Sequence, residues 1–193
     1  MAGLTHLLPS FTFVKYHSGT ATQRKLLKHS GLTKPDLAEF PMATLLPEVH
    51  SSGNSKLEPL LLHALDDISQ LGSLARLDCL NRVKSLRVFV NGKLEKVSRL
   101  VDSKSSLTSF LFAKQHGYAD YTLLPDEYAT EERLAVLKAA GLPHEDTADH
   151  TFALACCKQF IHLCERGCCM DTDIILEKSK QLADMLQRNL DRY

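Results

Sequence analysis

Apolar residues recur at helical spacing in the most regular stretch of the first half of the chain. They follow the i, i+3, i+4 pattern that is typical of one face of an amphipathic helix. The residues are Leu57, Leu60, Leu61, Ala64, Leu65, Ile68 and Leu71. Pro59 suits the first turn of such a helix, because the amide it lacks would have no partner there, and Gly72 suits its end. The pattern therefore predicts a helix from Leu57 to Leu71.

A different pattern follows, in which apolar and β-branched residues favour strands. Residues 85–90 read SLRVFV, and the next two residues are the Asn-Gly dipeptide favoured by a type I′ turn. Antiparallel pairing around this turn would place Phe89 opposite Leu94. The sequence therefore predicts a β-hairpin near residues 86–97.

Capping residues predict two short helices after the hairpin. Asp102 can cap a helix that continues through Leu111, because its carboxylate can accept a hydrogen bond from a free amide of the first turn. Thr130 precedes two acidic residues, which suit the positive end of the helix dipole. That second helix is expected to stop at Gly141, where glycine supplies the left-handed residue of a common C-terminal cap.

Two longer helices are predicted at the C-terminal end of the chain. The first covers residues 147–166, and the second covers residues 174–190 with Asp171 or Thr172 as its cap. Gly167 lies between them and allows an antiparallel helical hairpin over residues 147–190.

The organisation of the chain follows from these elements. His50–Ser55 is polar and is predicted to be a loop. It separates an N-terminal strand–helix segment, residues 1–50, from a helical domain, residues 51–193. The predicted fold class is α+β, predominantly helical with a small antiparallel β-hairpin or sheet. The stretches LLKHSGLTKPDL and VLKAAGLPHEDT align without gaps, so an internal repeat is an alternative to two independent glycine-terminated helices.

Charge and composition exclude several classes of protein. The 193 residues contain 23 Lys and Arg and 23 Asp and Glu, so the formal net charge is zero. That balance argues against a strongly basic nucleic-acid binder. Hydrophobic residues make up 44% and charged residues 24% of the chain, which is typical of a folded protein.

Targeting signals are not apparent in the sequence. The N-terminal MAGLTHLLPSF lacks the features of a signal peptide, and no apolar run is long enough to span a membrane. Five of the six cysteines lie in one C-terminal stretch rather than among separate loops. This clustering favours reduced thiols and a cytoplasmic location over a secreted disulfide scaffold.

The C-terminal cysteines and a histidine are the clearest candidate chemistry. His162, Cys164, Cys168 and Cys169 are candidate metal ligands, with Cys156 and Cys157 nearby. The spacing lacks the C-x₂-C unit of a zinc site, and on a helix Cys157 lies about 10 Å along the axis from Cys164. Packing as small hydrophobic side chains is therefore the expected role, with metal binding or thiol chemistry as the alternative.

Other catalytic patterns are weak or missing from the sequence. Arg24 and His29 have a spacing found in some helical ribonucleases, but so short a motif is weak evidence and a solvated basic face is the expected role. No phosphate-binding glycine motif and no nucleophile elbow occur. We therefore predict no catalytic residue, no cofactor and no enzyme activity.

Several short blocks in the same order resemble the repeat region of the sacsin family, a eukaryotic group of chaperone-like proteins. The blocks are ATLLPEV, LEPLLLHALDDISQLG, LRVFVNGKLEKVSRLVD, LLPDEYATEERLAVLKAAGL, HTFALACCKQFIHLC and IILEKSKQLADMLQ. The chain departs from the family pattern at Asp102-Ser103, where an Asp-Pro pair is expected. The resemblance covers the segment that connects the ATPase-like modules of the family, and not an ATPase module itself.

That resemblance implies a non-enzymatic scaffold or chaperone-associated protein-interaction module. Its partners would be other proteins, either clients or co-chaperones, bound in apolar grooves between helices. Neither nucleic acid nor a membrane is an expected partner, and the oligomeric state stays open. The alternative from another class is a metal-binding or thiol-dependent protein built on the C-terminal cysteines.

Overall fold

The structure is a computed structural model that describes residues 46–71, 86–113, 116, 120–166 and 171–190. The chain forms two compact units, residues 1–79 and residues 80–193. The described helices and strands confirm the predicted fold class, because most of them are helical and a two-stranded antiparallel sheet accompanies them. The organisation into a segment 1–50 and a domain 51–193 stays a prediction.

The described part of the first unit is a pair of helices. Helix α1 spans Leu46–Ser52 and helix α2 spans Glu58–Ser69, with a 3₁₀ turn at Ser55–Leu57 between them. Pro59 lies in the first turn of α2, and the apolar stripe is buried as the spacing predicts. The buried residues of this stripe are Leu57, Leu61, Ala64, Leu65 and Ile68. The loop predicted at His50–Ser55 is wrong over its first three residues, because α1 continues through Ser52.

The second unit begins with the predicted hairpin. Strand β1, Arg87–Val90, pairs antiparallel with strand β2, Lys93–Lys96, and Phe89 lies opposite Leu94. The turn residues Asn91 and Gly92 have φ values of 51° and 76°. Positive φ at both central positions defines the type I′ turn, whose twist matches that of the strands it joins. The hairpin prediction is therefore confirmed, including its register.

A second, very short sheet holds the segment after the hairpin in place. Strand β3, Leu100–Val101, runs parallel to strand β4, Thr122–Leu123, and the Leu124 amide donates to the Val101 carbonyl at 2.9 Å. A 3₁₀ turn, Val97–Arg99, connects β2 to β3. The pairing brings the residues that follow the hairpin next to residues more than twenty positions later in the chain.

Helix α3 spans Ser106–Leu111 and differs from its prediction in its cap. The Ser105 hydroxyl accepts the bond from the Thr108 amide, so Ser105 is the capping residue and the prediction of Asp102 is wrong. The Asp102 carboxylate instead accepts from the Lys104 amide at 2.8 Å and pairs with Lys138 at 3.5 Å. Asp102 lies three residues before the actual cap, Ser105, so its carboxylate stabilises the turn at Lys104 and not the first turn of α3.

Helix α4 spans Glu131–Ala139 and is capped at both ends as predicted. The Thr130 hydroxyl accepts from the Arg133 amide at the start. At the end, Gly141 has a φ of 100°, and the Leu142 amide donates back to the Leu137 carbonyl at 2.9 Å. A residue with a Cβ would be strained in this left-handed conformation, so glycine is what allows the chain to turn here.

Helices α5, His150–Glu165, and α6, Thr172–Leu190, form the predicted helical hairpin. The C-terminal end of α6 lies near the start of α5, because the Asn189 side chain donates to the Glu145 carbonyl at 3.0 Å. The two helices therefore run antiparallel. Helix α5 begins later than predicted, at His150, because Glu145–Thr147 forms a separate 3₁₀ turn and Asp149 supplies the cap.

The apolar core of the second unit lies between α3, α5 and α6. Both long helices contribute one buried stripe, as their apolar spacing predicts. The core residues are Val101, Leu107, Leu111, Phe112, Ala148, Phe152, Cys156, Leu163, Leu182 and Met185. Because α5 is anchored along this inner face, its opposite face is held in a fixed position toward solvent.

Candidate functional site

The outer face of α5 carries large apolar side chains that the core does not cover. Leu154 is 43% exposed and Ile161 is 54% exposed. The two are seven residues apart, so they lie two helical turns apart on one side of the helix, with Lys158 between them. We call Leu154, Lys158 and Ile161 the outer stripe. A rigid apolar stripe of this kind is a candidate contact surface for another molecule.

A cleft opens beside the N-terminal half of the outer stripe. Its volume is about 260 Å³. Residues from the 3₁₀ turn after β2, from the two positions just before β4 and from α5 converge on it. The lining residues are Ser98, Arg99, Asp120, Tyr121, Thr151, Leu154, Ala155 and Lys158. The cleft therefore joins the hairpin end of the second unit to the outer face of α5.

Tyr121 lines the cleft and is held from behind by two other aromatic rings. Its ring makes edge contacts with Phe112 and Phe152, with centroid distances of 5.6 and 5.3 Å. Phe112 and Phe152 belong to the core, so the tyrosine has a rigid support. Burial and the negative charge of nearby Asp149 both raise the pKa of Tyr121. The phenol is therefore neutral at physiological pH and can donate a hydrogen bond to a ligand.

The cleft is lined by one acidic and two basic side chains, and they differ in whether they have partners. Arg99 and Lys158 are exposed, and neither makes an ion pair or a side-chain hydrogen bond within the described part of the chain. Asp120 lines the same cleft but takes part in an interaction of its own. Among the described residues these two basic groups are unpaired, which makes them candidate contacts for an anionic ligand.

The structure separates the candidate metal ligands that it describes. Cys156 lies in the core, Cys157 is half-buried, and Cys164 is exposed. His162 is half-buried on the same helix, and it has an interaction of its own. Within the residues that the structure describes, no group of three or more His, Cys, Asp or Glu side chains is placed to hold a metal ion. Cys168 and Cys169 lie outside the described residues, so metal binding by the four candidate residues stays the alternative to a packing role.

The expected packing role of the cysteines holds for Cys156 but not for Cys164. Burial raises the pKa of the Cys156 thiol to about 12, and nearby Cys157 and Glu145 act in the same direction. Burial also raises the pKa of Cys157. The thiolate is the reactive form of cysteine, so these two side chains are poor nucleophiles. Cys164 is exposed to solvent and therefore does not pack in the core.

A serine–lysine contact elsewhere in the second unit is structural rather than catalytic in its geometry. The Lys178 ammonium, which is buried, contacts the Ser106 hydroxyl and joins α6 to α3. The same ammonium donates to Glu177 at 3.2 Å and to Gln181 at 3.3 Å. The Lys178 side chain therefore has three hydrogen-bonding partners, and its contact with Ser106 ties α6 to α3.

Two further sequence predictions concern nucleic acid and membranes. Arg24 and His29, the residues of the ribonuclease-like spacing, lie outside the described residues. Across the ranges that the structure covers, no helix is both long and apolar enough to cross a bilayer.

Comparison of the chain with protein-family models, with curated proteins and with solved structures gives no match.

The sequence does not predict the cleft, although it does predict helix α5, which forms one wall of the cleft. Arg99, Tyr121 and Lys158 come from three separate segments, and no local spacing connects them. One signal was present in α5: Leu154 and Ile161 fall outside the buried stripe of Phe152, Cys156 and Leu163. An apolar residue on the wrong side of an amphipathic helix is an indication of a contact surface.

Proposed function

We propose that this chain is a non-enzymatic protein-interaction module, a scaffold or chaperone-associated unit of the sacsin type. Other proteins, clients or co-chaperones, would bind to the outer stripe of α5 and to the cleft beside it. The binding would use preformed apolar surface and would need neither nucleotide nor metal. A cytoplasmic location is part of the same proposal.

The observation that carries the proposal is the exposure of Leu154 and Ile161 on helix α5, whose opposite face packs into the core. Leaving large aliphatic side chains in water forgoes about 25 cal/mol for each Å² of apolar surface. A partner that covers this surface recovers that free energy without first having to order α5, because the helix is already fixed by its core contacts. The arrangement suits an amphipathic segment laid along a groove.

The resemblance to the sacsin family supports the same function from the sequence. The block HTFALACCKQFIHLC, residues 150–164, contains the whole outer stripe. In the family this block belongs to the segment connecting the ATPase-like modules, so a role that needs no nucleotide fits it.

The proposal is tested by suppression of aggregation of an unfolding client protein, followed by light scattering without nucleotide. The test variant is Leu154→Gln with Ile161→Gln, which makes the outer stripe polar. We expect the wild-type chain to suppress scattering, and the variant to need about tenfold more protein for the same effect. A loss of about 1.4 kcal/mol of apolar contact free energy, summed over the two half-exposed side chains, produces that factor.

A matched control changes two equally exposed apolar residues elsewhere in the second unit. Ile174 is 44% exposed and Leu176 is 52% exposed, both in the first turns of α6. The variant Ile174→Gln with Leu176→Gln is expected to suppress aggregation as well as the wild type. Equal loss in both variants would assign binding to general hydrophobicity, and absence of suppression by the wild type would remove the proposal.

A further inference from the structure

The cleft beside the outer stripe is small and therefore limits what can enter it. Its volume of about 260 Å³ falls below the roughly 300–1,000 Å³ of pockets that enclose drug-sized ligands. A cleft of this size accommodates a single side chain of a larger partner. Tyr121 and Ala155 line the cleft and offer that side chain apolar surface. The tyrosine ring is held in place by its edge contact with Phe152.

The cleft walls add a positive charge from each side. Arg99 comes from the 3₁₀ turn after β2, and Lys158 comes from α5. Within the described part of the chain neither has an ion-pair partner, whereas other basic groups of the same unit are paired: Lys138 with Asp102, and Arg188 with Asp146. An anionic group on the partner is the complement of these two cations.

The outer stripe repeats the same chemistry along the helix. Leu154, Lys158 and Ile161 fall at positions i, i+4 and i+7, which gives an apolar–basic–apolar order on one side of α5. A partner helix with the complementary order, apolar–acidic–apolar, would place apolar side chains against Leu154 and Ile161 and an acidic side chain against Lys158. Side-by-side helices reproduce such spacing over successive turns.

We propose that the partner segment is an acidic amphipathic helix, which seats one apolar side chain in the cleft and a carboxylate against Arg99 and Lys158. This inference rests on the proposed function and names the chemistry of the ligand that the same surface takes. A carboxylate-bearing peptide is favoured over nucleic acid, because the chain has no net positive charge and Asp120 lines the same cleft.

The test uses the full chain and fluorescein-labelled peptides of about four helical turns. One peptide carries leucines at i, i+3 and i+7 with glutamates between them, and its partner peptide has glutamine at each glutamate. Fluorescence anisotropy measures both affinities. We expect the glutamate peptide to bind about three- to tenfold more tightly, and the difference to shrink as salt rises, because exposed ion pairs are weak and screened.

A charge-matched pair of variants locates the effect. Arg99→Gln with Lys158→Gln should remove the preference for the glutamate peptide, so that the glutamate and glutamine peptides bind this variant with equal affinity. Lys93→Gln with Lys180→Gln alters net charge equally at exposed positions away from the cleft, and should retain the preference. Equal loss in both variants would overturn the cleft as the site of charge recognition.

The remaining outcomes separate this inference from the function it rests on. Equal affinity of the two peptides would overturn the acidic partner and leave the interaction module in place. Failure of both peptides to bind would overturn the inference, and the aggregation assay then decides separately whether the proposed function stands. Displacement of the glutamate peptide by a single-stranded oligonucleotide at equal charge concentration would also overturn it, in favour of general polyanion binding.

Discussion

The two faces of α5 contain similar apolar side chains but have opposite surroundings. On the inner face Phe152, Cys156 and Leu163 are fully buried in the core. On the outer face Leu154 and Ile161 are about half exposed. Residue type alone does not decide burial, since leucine occurs in both sets, at Leu163 on the inner face and at Leu154 on the outer face. What distinguishes them is position in the helical period, so the same helix can stabilise the fold with one face and offer the other to a partner.

The largest expected difference between the two faces is in thiol reactivity. Cys164 is exposed, whereas Cys156 is buried and its pKa is raised to about 12. We expect iodoacetamide to modify Cys164 at least about a thousandfold faster than Cys156 in the folded protein, because modification of Cys156 requires opening of the core. Peptide mapping by mass spectrometry after timed quenching measures both rates. Similar rates in the folded state would show that the inner face is not closed.

The second expected difference is in stability. Phe152→Ala should lower the free energy of unfolding by about 3–5 kcal/mol, because it removes a buried aromatic ring and leaves a cavity beside Tyr121. Leu154→Ala on the outer face should lower it by at most about 1 kcal/mol. Urea unfolding followed by circular dichroism gives both values. Comparable losses would mean that Leu154 supports the core and not a contact surface.

The smallest expected difference concerns alkaline pH. The pKa of Cys156 rises from 9.0 to about 12 on folding, so the unfolded chain loses this proton first as pH increases. The free energy of unfolding should therefore fall above pH 9, with a slope that approaches about 1.4 kcal/mol per pH unit from this group.

A cysteine variant isolates that contribution. Cys156→Ala should flatten the decline in stability above pH 9 relative to the wild type, because it removes the thiol whose pKa is raised. Urea unfolding at several alkaline pH values provides the comparison. An unchanged slope in Cys156→Ala would contradict the assigned burial of the inner thiol.

Elements with local signals could be predicted from the sequence. The hairpin depends on an Asn-Gly turn between two short strands, and the end of α4 depends on Gly141, so neighbouring residues determine each of them. The cap of α3 was harder, because Asp102 and Ser105 are both good caps and only three residues apart. In the structure Ser105 caps α3, while the Asp102 carboxylate accepts from the Lys104 amide and pairs with Lys138, a contact from a distant helix that local sequence does not reveal.

The β3–β4 pair and the cleft could not be predicted, since both depend on distant segments. Two residues are too few to give a strand pattern, so the parallel pair at Leu100–Val101 and Thr122–Leu123 has no sequence signal of its own. The cleft needs that pairing, because Arg99 immediately precedes β3 and Tyr121 immediately precedes β4. Candidate residues at such a site can be found only after the register of the sheet is known.

The hydroxyl of Tyr128 has a consequence for how the hairpin behaves at high protein concentration. This buried hydroxyl accepts the Phe89 amide at 3.3 Å, on the side of β1 that faces away from β2. Strand-by-strand polymerisation requires both outer edges of a sheet to offer free backbone groups. Because the Phe89 amide is already engaged, one backbone donor on the outer edge of β1 is closed to an added strand, which disfavours strand addition at this edge.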